Sequence, residues 1–359
     1  MARVPGKFGG DSQPGINDEQ ASRPQRSISN DFSGCSMNDD LAPIQAISGE
    51  QGPASGTPNP GLLHRTLKGP NGLRAGWRLA IFLFLFAILQ FIVIQKGMRS
   101  IPRLAQIARQ TQSGGVITPQ FELIFESTVL VLALLAAWIM SRIEKRPFDA
   151  YGTPLRGAFG KLFWQGALWG FGFESIEILV IYSLGGYSFG SLALAGGSLA
   201  KYAILWALGM LLVGLFEEFL FRGYGQFTVT SGIGFWPAAI LLSALFGAAH
   251  LFNPGEGWVG ALSVFLFGLF GCFTLRRTGN LWFAIGLHAA ANYAETFVYS
   301  VPDSGMLATG HLLNANLHGP RWLSGGTIGP EGSAVGFLLF AVSFAAFHWL
   351  YPGRESPRV

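Results

Sequence analysis

Eight stretches of this chain are apolar, nearly free of charge and about as long as a bilayer is thick, and that pattern leaves few folds open. They run over 77–95, 121–140, 162–184, 201–221, 235–252, 258–275, 281–299 and 334–351. About 20 apolar residues cross the hydrocarbon of a membrane as a helix. Within it every backbone N–H and C=O must be paired inside the segment, which helices achieve and open strands do not. The reading is therefore all-α, a polytopic transmembrane helical bundle of about eight spans. Composition agrees: 50% of the 359 residues are hydrophobic and 12% are charged, against roughly a quarter charged in soluble domains.

The stretches divide the chain into four regions. Residues 1–76 are rich in Gly, Pro, Ser, Asn, Asp and Gln without apolar periodicity, a composition expected to form a disordered polar tail. Residues 77–199 hold spans one to three with basic loops, 200–300 hold spans four to seven, and 301–359 hold a polar loop, the eighth span and a short basic tail. Cys35 lies in the tail and Cys272 in an apolar run, so no disulfide or cysteine metal site is expected. The N-terminus lacks an apolar signal region, which makes the first span the expected targeting signal.

Basic residues sit mainly beside the spans: Arg65, Lys68, Arg74 and Arg78, the 142–161 loop, Arg276 with Arg277, and Arg354 with Arg358. With eight spans these fall on one side. The positive-inside rule then places both termini in the cytoplasm and the protein in a cell (inner) membrane, against the basic 96–109 linker. The net charge of +4 gives no nucleic-acid-binding surface. The partners expected are the lipid bilayer and a membrane-associated peptide or protein.

Inside span four the chain turns abruptly polar, at Glu217-Glu218 and Arg222. Each charge at a helix centre costs about 2.5–3.5 kcal/mol on insertion scales. Glu218 and Arg222 are four apart and share a helix face, acid before base, while Glu217 is rotated away by about 100°. That spacing predicts a buried Glu218–Arg222 pair and a Glu217 left for proton chemistry; the alternative is that all three are interfacial charges at a span end. Span five carries His250 after small residues, and span seven carries His288 and Asn292 one turn apart. A lone histidine in an apolar helix is more often a satisfied core residue. A base, two imidazoles and an amide donor together form a hydrolytic set.

In that order, Glu217-Glu218-x-x-x-Arg222, Phe246-x-x-x-His250 and His288-x-x-x-Asn292 resemble the three motifs of the CPBP intramembrane proteases, the CAAX-processing and bacteriocin-processing (Abi) enzymes. Leu220-Phe-Arg-Gly223 and Thr278-Gly-Asn-Leu281 add to the likeness, which covers roughly residues 200–300. The resemblance implies that Glu217 activates water, Glu218 pairs with Arg222, His250 helps hold the water or a metal, and His288 with Asn292 stabilises the oxyanion. It also implies Glu217, His250 and His288 as ligands of zinc or another divalent metal, beside an equally argued metal-free mechanism. Simple alternation of spans puts Glu217 near the inner end of span four and His250 near the far end of span five. To meet, span four would have to continue past Arg222, or the helices would have to be staggered or broken.

Other carboxylates support a rival reading, a proton-coupled transporter: Glu122 and Glu126 in span two, Glu174 and Glu177 in span three. A non-catalytic membrane scaffold or immunity protein of the same fold is a further alternative. Glu295, seven residues after His288, falls on roughly its face. The string Gly186-Tyr-Ser-Phe-Gly190 matches a serine-hydrolase elbow but lies in a connector without the strand–turn–helix that motif needs.

Overall fold

A computed structural model describes residues 67–69, 72–102, 106, 107, 109, 116–253 and 255–352. The expected disordered tail to residue 66, Cys35, most of the 96–109 linker's second half, Pro254, Arg354 and Arg358 lie outside the described residues. All described residues fall in one compact unit, Asn59–Val359.

Each expected span corresponds to a helical segment. Helix α1 is Ala75–Ser100, α2 Pro119–Glu144, α3 Lys161–Ser183, α4 Gly196–Glu217, α5 Gln226–Ile233, α6 Phe235–His250, α7 Trp258–Thr278, α8 Trp282–Tyr293, α9 the single turn Arg321–Ser324, and α10 Ala334–Leu350. Among the described residues, four runs are long and apolar enough to cross a membrane: Ala75–Gly97, Pro119–Glu144, Gly196–Ile233 and Trp258–Thr278; α6 and α10 are apolar but shorter. The protein is a helical membrane bundle, and its large outward residues, Phe84, Phe91, Trp164, Leu168 and Trp349 among them, suit a lipid-facing surface.

Local chemistry sets the helix ends. Thr118 Oγ1 accepts from Phe121 N–H at 3.3 Å and Pro119 opens α2, where its missing N–H costs nothing. Ser333 Oγ caps α10 by accepting from Gly336 N–H at 3.0 Å. Gly279 ends α7 at φ +84, returning its N–H to the Leu275 carbonyl, a left-handed turn that glycine adopts without a Cβ clash.

At the centre stands α8, buried almost throughout from Trp282 to Ala291 and packed on α3, α4 and α7. Its contact with α3 is backbone to backbone: a Cβ at Gly166 would strike the Phe283 carbonyl oxygen, one at Gly170 that of Leu287, and one at Gly286 that of Phe163. Gly166 and Gly170 are the small-xxx-small pair of the third span, and lipid-embedded helices pack tightly through such residues.

The long connection 301–332 covers one end of the bundle. Three pairs of two-residue strands are present: β1 (Lys68–Gly69) with β2 (Gly72–Leu73), β3 (Val116–Ile117) parallel to β5 (Leu307–Ala308), and β4 (Tyr187–Ser188) antiparallel to β6 (Asn316–Leu317). The last two pairs tie this connection to the loops before α2 and after α3. Trp206 Nε1–H donates to Thr309 O at 3.0 Å and Tyr187 Oη–H to Tyr299 O at 2.7 Å, adding side-chain anchors.

Candidate active site

The geometry turns on how α4 ends. Instead of stopping, the chain passes from Glu217 into a widened π-helical turn, Glu218–Gly225, and on into α5, with non-helical torsions at Gly223 (φ −83, ψ −108). The helical run Gly196–Ile233 is 38 residues long, so Glu217 falls near its middle and not at an end. Span four does continue past Arg222. Single π-turns inside α-helices recur at functional sites.

Within that turn Glu218 Oε1 lies 3.2 Å from Arg222 Nη1, both side chains 1% exposed. The guanidinium fits between two helices. Its Nε–H points at Gly268 O (3.4 Å) on α7, its centre lies 4.2 Å from the Phe246 ring on α6, and a Cβ at Gly268 would leave it no room. Arginine over an aromatic face gains a cation–π attraction that strengthens out of water.

His288 connects this pair to the cavity. Its Nδ1 is 2.9 Å from Glu218 Oε1, and its Nε2 is 3.5 Å from Glu217 Oε2. Phe267 packs edge-on against the ring at 4.9 Å. A carboxylate behind an imidazole fixes which nitrogen faces the reaction space, here Nε2 beside Glu217. His250 Nδ1 lies 2.9 Å from the Phe246 carbonyl of its own helix, leaving Nε2 free.

Glu217, His250, His288 and Asn292 line one cavity of about 620 Å³. Glu218 and Arg222 do not line it; they brace His288 from behind. The structure thus brings together all six residues singled out in the sequence, in two layers. As metal ligands, Glu217, His250 and His288 have suitable donor chemistry. Among the described residues, however, their donor atoms do not converge to within 4.8 Å of one another, whereas an oxygen each from Glu295, Asp303 and Glu331 does. As its side chains stand, the Glu/His trio does not fit one bound metal ion.

The same cavity holds more acid than the motifs contain. Glu122, Glu126, Glu174, Glu217, Glu295, Asp303 and Glu331 all line it, and no lysine or arginine among the described residues does. Glu126 is 6% exposed, so the pair in α2 faces inward and not an interface. Glu174 lines the cavity, whereas Glu177 is turned away, its Oε1 accepting from Ser333 Oγ–H at 2.7 Å. In the covering loop, burial lifts the Asp303 carboxyl to about 6. Burial, with Asp303 and Glu256 nearby, lifts Glu331 well above the usual carboxylate range. Asp303 and Glu331 escaped the sequence reading because no motif or helical spacing marks them. Ser188 of the serine-hydrolase-like string is exposed on β4, with its Oγ 3.5 Å from Asn316 O.

A carboxylate, two imidazoles and an amide around one cavity of a helical membrane bundle are the groups an intramembrane hydrolase would need. Residues 199–294 match the family described as Rce1-like, type II CAAX prenyl endopeptidase Rce1-like, a match consistent with the CPBP/CAAX-protease resemblance of the same segment. No curated protein and no solved structure matches it.

Proposed function

We propose that the protein is an intramembrane endopeptidase that hydrolyses a peptide bond of a membrane-associated peptide or protein with water activated by Glu217. The observation carrying this reading is the position of Glu217: it lines the cavity beside His288 Nε2, while Arg222 is engaged by Glu218. Glu217 takes a proton from water, hydroxide adds to the carbonyl carbon, and Asn292 Nδ2–H receives the oxyanion, joined by His288 when its Nε2 also carries a proton beside the Nδ1–H given to Glu218. Collapse of the tetrahedral intermediate breaks the C–N bond, and Glu217 returns the proton to the leaving nitrogen. General-base action by such a group contributes about 10²–10⁴-fold, and an oxyanion donor about 10²–10³-fold.

Phe121, Phe125, Phe246, Phe267 and Phe340 also line the cavity, an apolar wall that suits a lipid-modified or hydrophobic segment, the kind of substrate the family description names. Residence in a cell membrane with cytoplasmic termini completes the proposal. The experiment compares protein N- and C-termini across cells carrying the wild type or Glu217→Gln. An uncut membrane-associated substrate accumulating only in the variant is expected. Identical termini in both overturn the assignment.

The carboxylate-rich lining favours one second reading, a proton-coupled transporter. Solute uptake into proteoliposomes that depends on Glu174 and survives Glu217→Gln would establish it. A non-catalytic scaffold, by contrast, would keep its phenotype in Glu217→Ala, His250→Ala and His288→Ala.

A further inference from the structure

The carboxylates of Glu295, Asp303 and Glu331 come from three separate segments, the end of α8's helical run, the loop after it, and the turn before α10. One oxygen from each lies within 4.8 Å of the other two. Three like charges this close repel unless protonated or bridged. The protein nevertheless holds the two loop acids in place. Thr296 Oγ1–H donates to Asp303 Oδ2 at 2.9 Å, and Ser304 donates to Glu331 Oε1 from its backbone N–H at 2.6 Å and its hydroxyl at 3.0 Å.

A second observation is independent of that clustering. Glu295 is 2% exposed, and its Oε1 is buried with no hydrogen-bond partner among the described residues. An unpaired buried carboxylate oxygen is costly, and the surrounding chain is shaped around it. Gly329 (φ +112) passes so close that a Cβ there would strike the Pro302 carbonyl and come within 3.1 Å of that same Glu295 oxygen. The turn itself is fixed by Asp303 N–H to Met306 O at 3.0 Å, Met306 N–H to Asp303 O at 2.8 Å, and Asn253 Nδ2–H to Ser304 O at 3.1 Å.

We infer that Glu295, Asp303 and Glu331 form a binding site for one hard divalent cation, distinct from the Glu217–His250–His288 set and opening on the same cavity. The donors are all oxygen, which selects calcium, magnesium or manganese over zinc. Three carboxylates leave the remaining coordination positions to water. Bound there, the cation pins the 301–332 connection to the end of α8 and offsets negative charge beside the reaction space. The site stands on its own geometry and does not depend on the peptidase reading.

The test uses purified full-length protein with manganese as the probe, its binding followed by electron paramagnetic resonance and displaced by calcium. One equivalent is expected to bind. Asp303→Asn and Glu331→Gln should each weaken it by at least about tenfold, while Glu217→Gln leaves it unchanged. In chelator the two loop variants should melt no lower than wild type, since neutralising one acid relieves repulsion, and they should lose the cation-induced rise in melting temperature; this separates lost binding from misfolding. Absence of saturable binding up to about 10 mM overturns the proposal. So does binding that survives both loop variants and disappears in Glu217→Gln, which would assign the ion to the glutamate–histidine set.

Discussion

Glu218 Oε1 is held between two partners, 2.9 Å from His288 Nδ1 and 3.2 Å from Arg222 Nη1. One buried oxygen therefore both neutralises a buried guanidinium and orients the imidazole that faces the cavity. Removing it should damage two properties that separate under a second substitution. Glu218→Ala leaves Arg222 charged and unpaired, with an expected loss of about 3–5 kcal/mol. Glu218→Leu combined with Arg222→Met removes the orphaned charge and should recover most of the melting temperature. Turnover should remain lost, because His288 still lacks its brace. Thermal unfolding in detergent, run beside a cleavage assay, checks both halves.

Asn292 carries no structural burden comparable to Glu218. It lines the cavity one helical turn beyond His288, where an amide can meet the developing oxyanion. Asn292→Ala should lower kcat about 10²–10³-fold with little change in KM or melting temperature. An equal rise in KM would instead assign it to substrate binding.

The α3–α8 contact makes a prediction at a distance from the chemistry. A methyl at Gly170 meets the Leu287 carbonyl oxygen, next in sequence to His288. Gly170→Ala should cost about 1–3 kcal/mol through overpacking. It should also lower turnover by up to about 100-fold through displacement of His288. Gly172→Ala, where nothing lies within 4 Å of the added carbon, is the matched control and should leave both unchanged.

Glu177 offers a structural contrast to the cavity acids. Its carboxylate accepts from Ser333 Oγ–H, and the same hydroxyl caps α10. Ser333→Ala deletes the cap and one of the hydrogen bonds to a buried carboxylate, leaving it the Gly336 backbone, with an expected loss of about 1–3 kcal/mol. Cleavage per folded molecule should be unaffected, which limiting proteolysis of the α10 end together with an activity titration will show.

The sequence disclosed what repeats with helical period or costs too much to be accidental. Each of the eight apolar runs coincides with a helical segment, and Glu217, Glu218, Arg222, His250, His288 and Asn292 could be named because charged and amide groups are expensive in hydrocarbon. The Glu218–Arg222 pairing followed from four-residue spacing alone. What stayed hidden depends on chain geometry or on loops. The π-turn at Glu218–Gly225 has no periodic signature, so the depth of Glu217 could not be read. Asp303 and Glu331 sit in a polar loop where acids are ordinary; only the fold carries them to Glu295. The inward turn of Glu122 and Glu126 likewise depends on which face α2 gives to α4.

The widened turn has a consequence for how such a chain can drift. A π-turn accommodates one residue more than the α-helical turns on either side of it. Loss of a single codon between 219 and 225 would let the turn relax to ordinary α-helix. The helix beyond would keep its phase, because the widened turn had absorbed the extra residue, while the residues inside the turn would change faces. Arg222 or its packing against Gly268 and Phe246 would be lost, and with it the support of His288 on a helix more than sixty positions away in sequence. Exchange of side chains in this segment is graded in its effect, whereas a change in its length is all or nothing.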